Sequence, residues 1–175
     1  GASHVGLNFY ERSPRAVSID QARQLAQPVP PSVCKVGLFV DADDALIDAA
    51  VDSASLDLLQ LHGAETPERV AALKARTKRA VLKVISIASS TDLKAAEGYV
   101  GIADWLMFDA KPPKDIENAL PGGNARPFDW PAEWPHIPPD GRTLTPCLDT
   151  QRIYCTNVSY YTRKGPFMEQ LTKRQ

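Results

Sequence analysis

One aspartate follows an apolar run and has the surroundings of a proton donor. Asp109 closes the stretch Trp105–Phe108, which reads as a buried strand. Partial desolvation of a carboxyl group favours its protonated form, and this suits the group to general acid catalysis. For an isolated aspartate in such a place, the alternative is a structural role as a helix N-cap or a loop anchor.

Two further side chains could contact a ligand. Arg15 follows Ser13-Pro14, where a guanidinium can bind a carboxylate through two parallel hydrogen bonds. His62 ends the run Gln60-Leu61-His62 and could carry a proton or contact a substrate. The alternatives are a solvated loop arginine and a structural histidine. The pair Gly122-Gly123 is only a weak phosphate-binding signal, because a turn explains it equally well.

The elements that must position these residues alternate between short apolar runs and amphipathic stretches. The apolar runs predict five strands, at His4–Tyr10, Lys35–Val40, Leu56–His62, Ala80–Ile87 and Asp104–Asp109. The amphipathic stretches predict four helices, at Ser18–Gln27, Asp44–Ser53, Thr66–Thr77 and Thr91–Gly98. Ser18 with Gln21 forms a capping box, and Thr66 before Pro67 is a typical helix start. The stretch Ala110–Asn124 predicts a loop.

Strands that alternate with helices predict an α/β fold with a parallel sheet, either open or closed into a barrel. Polar residues stand at or near the carboxyl ends of all five predicted strands: Asn8, Asp41, His62, Ser86 and Asp109. An open sheet concentrates its ligand site at one switch point, whereas a barrel collects residues from many strand ends. The pattern therefore favours a barrel with a central site.

The bulk properties exclude several classes of partner. The 175 residues carry 20 basic and 21 acidic side chains, a net charge of −1, so no nucleic-acid footprint is visible. No apolar run approaches the roughly 20 residues needed to span a bilayer, and no secretory signal is recognisable. The three cysteines fit no metal motif and predict free thiols in a reducing compartment, hence the cytoplasm.

The motifs VGLNFYERSPR, KVGLFVDAD, LDLLQLHG, LMFDAKPP and GGNARPFDW closely resemble the phosphoribosylanthranilate isomerases of tryptophan biosynthesis. The resemblance covers residues 1 to about 130. It implies a (β/α)8 TIM barrel that catalyses an Amadori rearrangement of a phosphorylated sugar, without cofactor or metal. It also implies that Asp109 is the general acid and that Arg15 holds the anthranilate carboxylate. His62 matches only as part of QLHG, and the resemblance implies no more than a substrate contact for it.

Two other functions stay open beside this one. The first is a different sugar-phosphate barrel, such as indoleglycerol-phosphate synthase, although SPR and QLHG are in the wrong places for its lysine-based chemistry. The second is a non-catalytic barrel fragment that only binds or assembles. The oligomeric state is not predicted, because isomerases of this family occur alone, paired or fused.

The sequence departs from the family at both ends. The family's first strand ends in Lys-Ile-Cys-Gly and carries the cysteine base, and none of Cys34, Cys147 and Cys155 replaces it. Residues 131–175 lack the phosphate-binding ends of the seventh and eighth strands. We therefore expect a partial barrel domain over residues 1–130, in which strands two to six are recognisable. Residues 131–175 are expected to be an anomalous tail without a confident fold, divergent or read in a shifted frame. A chain without that base is expected to be inactive. Five of eight strands leave both edges of the sheet unpaired, so the chain is also expected to be poorly stable on its own.

Overall fold

The computed structural model describes residues 3–87, 90–110, 144–147 and 158–162. The strands are β1 His4–Asn8, β2 Cys34–Phe39, β3 Leu58–Leu61, β4 Ala80–Ile87, β5 Trp105–Ala110, β6 Leu144–Cys147 and β7 Val158–Thr162. The helices are α1 Ile19–Ala26, α2 Asp44–Ala54, α3 Pro67–Thr77 and α4 Ser90–Glu97. Each predicted strand and helix is present, with ends displaced by at most two residues. Apart from Ala110, the predicted loop Ala110–Asn124, including Gly122-Gly123, lies outside the described residues.

The helices begin where the capping residues predict. The Ser18 hydroxyl accepts a hydrogen bond from the Gln21 backbone N–H at 3.2 Å, and the Gln21 side chain accepts one from the Ser18 N–H at 2.8 Å. The Thr66 hydroxyl caps α3 by accepting from the Arg69 N–H at 3.2 Å, and Pro67 occupies the first turn, where its missing N–H has no partner to lose. The predicted capping box and the predicted proline start are both confirmed.

Five strands of the sheet are parallel and lie side by side in chain order, from β1 to β5. One helix follows each of the first four. An open doubly wound sheet reverses its strand order and binds ligands at that reversal. The order from β1 to β5 contains no reversal. It is the arrangement of a (β/α) barrel wall, in which every strand directs its carboxyl end to the same mouth.

Apolar side chains cover both faces of this parallel sheet. The face toward the helices forms the larger cluster, and it includes Leu7, Phe39, Leu59, Val81 and Leu106. The opposite face, which is the inner one in a barrel, carries a smaller cluster of Val36, Leu58, Leu82, Val84 and Met107. The nearly continuous apolar character of the strands follows from this burial on both sides.

Two short strands extend the sheet beyond β5, in the segment where the sequence pattern indicates none. β7 pairs antiparallel with β5, and β6 pairs antiparallel with β7 at the edge of the sheet. Strands of four and five residues are too short for a clear period of two. Their composition is nevertheless suitable: β7 is rich in β-branched and aromatic residues, and Pro146 lies in the edge strand, where a missing N–H is tolerated. In the described part of the chain, no helix has the length and apolar character to cross a bilayer.

Candidate active site

Polar residues follow one another around the mouth at the carboxyl ends of β3, β4 and β5. Ser86 of β4 lies directly beside Asp109 of β5 in the parallel register. Asp109 follows Met107 by two residues, so its side chain lies on the same inner face as that methionine. His62 comes directly after β3, and its backbone N–H donates to the Phe39 carbonyl at 2.8 Å. The three side chains are therefore neighbours at one end of the inner face.

The histidine and the aspartate are close together and almost fully buried. Nε2 of His62 lies 3.3 Å from Oδ2 of Asp109, and the two side chains are only 8% and 7% exposed. The separation is that of an ion pair, but the angles are not those of a hydrogen bond. Nε2 consequently has no hydrogen-bond partner among the described residues. A buried ring nitrogen without such a partner is available to a ligand that enters the mouth.

The chemistry open to this pair is proton transfer and hydrogen bonding. Asp109 is buried beside Met107 and is within reach of a ring that can accept or donate a proton. The described residues contain no group of three or more side chains suited to hold a metal ion. Of the residues singled out from the sequence, the structure brings His62 and Asp109 into contact.

The loop after β1 is ordered by Asn8 and carries Arg15. The Asn8 side chain accepts from the Tyr10 N–H at 2.9 Å and donates to the Ser13 hydroxyl at 3.1 Å. The Ser13 hydroxyl also accepts from the Arg15 N–H at 3.2 Å, so the backbone at Arg15 is held in place. Asn8 therefore shapes the loop instead of facing the centre of the site.

Arg15 itself is exposed and lies at the same edge of the sheet as His62 and Asp109. Three strands separate β1 from β5 in the sheet, and curvature of a barrel wall turns such strands toward one another. Arg15 belongs to the mouth by position. Its binding of a carboxylate stays a prediction.

Sequence reasoning missed a buried pair that joins β4 to the loop after β3. Lys83 and Glu65 form a buried ion pair at 2.9 Å, with side chains 2% and 3% exposed. The available signal was a lysine inside the apolar run Ala80–Ile87, since a lysine is rarely buried unless it is paired. Asp41, the polar residue after β2, accepts from the Ala64 N–H at 2.7 Å. It thus joins this loop and does not face Asp109.

Parallel strands in chain order and a polar cluster at their carboxyl ends place the chain in the (β/α)8-barrel class. Within that class, the family model described as "N-(5'phosphoribosyl)anthranilate (PRA) isomerase" matches residues 1–132. The chain belongs to this family, and the fold class predicted from the sequence is confirmed.

Similar proteins agree with this assignment. The N-(5'-phosphoribosyl)anthranilate isomerase of Paramagnetospirillum magneticum is 54% identical over 130 residues, which are 74% of this chain and 60% of the relative. That of Parvibaculum lavamentivorans is 45% identical over 153 residues, covering 87% of this chain and 71% of the relative. This second match extends past residue 130.

Solved structures give the same result. Phosphoribosyl anthranilate isomerase from Thermotoga maritima is similar with a TM-score of 0.58 and 31% identity, over 65% of this chain and 54% of that one. A second structure of the enzyme holds reduced 1-(o-carboxyphenylamino)-1-deoxyribulose 5-phosphate. It matches with a TM-score of 0.57 and 30% identity, over 63% of this chain and 55% of that one. The chain spans about 60% of the length of the first curated relatives it matches.

Proposed function

We propose that this chain supplies the acid side of a phosphoribosylanthranilate isomerase site. The reaction is the Amadori rearrangement of N-(5-phosphoribosyl)anthranilate to 1-(o-carboxyphenylamino)-1-deoxyribulose 5-phosphate, in tryptophan biosynthesis. The observation that carries the proposal is Asp109, buried at the inner mouth of the parallel sheet within 3.3 Å of His62. Membership of the family supplies the substrate class, a small phosphorylated sugar derivative.

In this proposal Asp109 donates a proton to the ring oxygen of the ribose. The C1′–O bond then breaks, and its electron pair stays on the oxygen as a hydroxyl. The positive charge on C1′ is shared with the anilino nitrogen. Loss of the C2′ proton to a base gives an enolamine. C1′ then gains a proton and the C2′ hydroxyl loses one, which gives the ketone. C2′ is oxidised and C1′ is reduced within one molecule, so the overall reaction needs no external oxidant.

We assign no residue of this chain to the removal of the C2′ proton. The resemblance implies a cysteine in a Lys-Ile-Cys-Gly strand, and that motif is not among the 175 residues. The proposal therefore covers ring opening and substrate binding, and assigns no base.

Arg15 and His62 are proposed to bind the substrate. Arg15 is exposed, and a guanidinium can bind a carboxylate such as that of anthranilate through two parallel hydrogen bonds. Nε2 of His62, which has no hydrogen-bond partner in the described residues, is proposed to contact the sugar beside Asp109. We further propose a cytoplasmic location, because Cys34 is a free thiol of the kind found in reducing compartments.

The test is turnover by an extended chain. It carries a family first strand ending in Lys-Ile-Cys-Gly at its front and intact family strands seven and eight at its back. The expected result is conversion of N-(5-phosphoribosyl)anthranilate, which is measured as a loss of the substrate's fluorescence. If the extended chain binds the reduced product analogue but never turns the substrate over, the alternative of a non-catalytic binding barrel is favoured.

A further inference from the structure

A buried ion pair lies on the helix side of the sheet, directly behind the histidine of the site. Lys83 is in the middle of β4 and alternates with Leu82 and Val84, which belong to the inner cluster. Its side chain therefore lies on the helix side of the sheet, where it reaches the loop after β3. There it meets Glu65 at 2.9 Å. The proposed reaction gives this pair no chemical task.

The hydrogen bonds of Lys83 indicate what the pair does. An ammonium group has three donors, and all three are used here. One goes to Oε2 of Glu65, and the other two go to the carbonyls of Leu61 at 3.3 Å and Gly63 at 2.7 Å. Those carbonyls belong to the residues on either side of His62. The buried charge thus holds the backbone before and after the histidine.

Glu65 completes the same clamp from the other side. Its carboxylate accepts from the Gly63 N–H at 3.0 Å and from the Asp41 N–H at 2.9 Å. Asp41 has a left-handed backbone conformation, with a φ of 48°, and its own carboxylate accepts from the Ala64 N–H. The network therefore ties the loop after β2 to the loop after β3, and His62 lies at its centre.

We infer that the Lys83–Glu65 pair is a positioning device that fixes the His62 ring against Asp109. A buried ion pair adds little net stability, because apolar residues of similar volume often stabilise the fold equally well. The pair instead holds the backbone on either side of His62. An apolar pair could not do this, because only hydrogen-bond donors can bind the carbonyls of Leu61 and Gly63. The inference rests on the proposed function only in treating His62 and Asp109 as site residues.

The test observes His62 in the ligand-free 175-residue chain. The chain has three histidines, His4, His62 and His136, so the imidazole signals in NMR spectra are few and His62→Gln assigns the relevant one. The variants are Lys83→Met, Glu65→Gln and the two combined. Unfolding midpoints in urea are measured for each beside the spectra.

A matched control comes from the other end of the same strands. Lys74 also donates to a carboxylate, that of Asp104, at 2.6 Å, and to a carbonyl, that of Ile102, at 3.2 Å. Asp104 in turn accepts from the Val81 N–H near the start of β4. The side chains of this pair are 36% and 33% exposed, whereas those of Lys83 and Glu65 are buried. Lys74→Met therefore removes a lysine–carboxylate pair that also binds backbone, without touching the loop that carries His62.

Each single variant is expected to lower the urea midpoint strongly, because it leaves one buried charge without its partner. The double variant is expected to recover most of that loss. Its His62 ring signals nevertheless shift and broaden, because nothing then holds the Leu61 and Gly63 carbonyls. Lys74→Met leaves the His62 signals at their wild-type positions.

The inference is overturned if the double variant folds and its His62 signals coincide with those of the wild type. It is overturned equally if Lys74→Met moves them as far as Lys83→Met does. Absence of turnover in the extended chain would reject the proposed function but would leave these ligand-free spectra unchanged. The two failures are therefore distinguishable.

Discussion

His62 and Asp109 come from strands that are separated by β4, yet their side chains lie 3.3 Å apart. Both are buried, and the geometry between them is too poor for a hydrogen bond. A substrate atom placed beside them would provide the missing hydrogen-bond partner for Nε2. At the scale of single residues, the buried Nε2 without a hydrogen-bond partner among the described residues is the feature that most directly indicates a ligand site.

Arg15→Lys tests the proposed carboxylate contact. Lysine keeps the positive charge but loses the two parallel donors, so we expect at least about 1.5 kcal/mol of lost binding, or roughly tenfold in Kd. The measurement is calorimetric titration of the extended chain with reduced 1-(o-carboxyphenylamino)-1-deoxyribulose 5-phosphate. Arg12→Lys, at an exposed arginine of the same loop, is the control variant. An equal loss with an analogue lacking the carboxylate would contradict the assignment.

Tyr99→Phe tests the hydrogen bond between Tyr99 and Glu65 through the pH dependence of the chain's stability. Burial, together with the carboxylates of Glu65 and Glu68, raises the pKa of Tyr99, whose hydroxyl donates to the Glu65 carbonyl at 2.7 Å. A pKa raised by folding means that the neutral hydroxyl stabilises the fold. This contribution is fully present below the unfolded pKa of about 10 and is lost as pH rises through the folded value.

At neutral pH, the wild type is therefore expected to be about 1 kcal/mol more stable than Tyr99→Phe. The difference should shrink above pH 10, as measured by urea unfolding at pH 7.5 and pH 10.5. A difference that stays constant or widens between the two pH values would contradict the account.

At the scale of elements, the loop between β3 and α3 is the most constrained connection near the site. A Cβ atom at Gly63 would lie 2.5 Å from Cγ of Asp41 and 2.6 Å from its backbone nitrogen. Glycine is thus required by the close approach of two loops. The same approach lets Asp41 and Glu65 exchange hydrogen bonds with the opposite backbone.

Gly63→Ala is expected to destabilise the chain by about 1–3 kcal/mol. The new methyl group would overlap the Asp41 backbone, which can move only at a cost in free energy. Gly6→Ala is the control, since nothing lies within 4 Å of a Cβ built there. It should change stability by less than about 0.5 kcal/mol. Urea unfolding compares the two, and equal midpoints would show that the loops adapt freely.

The elements were largely predictable, because each depends on local signals. Ser18 and Thr66 place helix starts through their own side chains, and apolar runs such as Ala80–Ile87 mark strands buried on both faces. The Lys83–Glu65 pair was not predictable in the same way. It joins residues 18 positions apart, and a pattern along the chain does not reveal which buried lysine meets which carboxylate.

At the scale of the whole molecule, the strand order decides the architecture. Parallel strands in chain order support a barrel wall, and the polar residues at their ends then share one mouth. The sequence placed Asp109 and His62 at strand ends but gave no distance between them. Their contact depends on the register of three strands, which becomes fixed only when the sheet forms.

The described sheet ends at β1 on one side and at the antiparallel pair β7–β6 on the other. Strand edges invite pairing with further chains. We therefore expect the 175-residue chain to self-associate as its concentration rises, as seen in sedimentation velocity. The extended chain, with strands added at both sides, should associate less. A 175-residue chain that stays monomeric at all concentrations would contradict this prediction.

The most direct test of the central claim is turnover by the extended chain with Asp109→Asn. Asparagine keeps the shape of the side chain but has no acidic proton to donate, and general acid catalysis typically contributes a factor of about 10²–10⁴. We expect kcat to fall by at least about 100-fold, while the variant still binds the reduced product analogue as tightly as the parent. A variant that turns over N-(5-phosphoribosyl)anthranilate at the parent rate would contradict the assignment of this site.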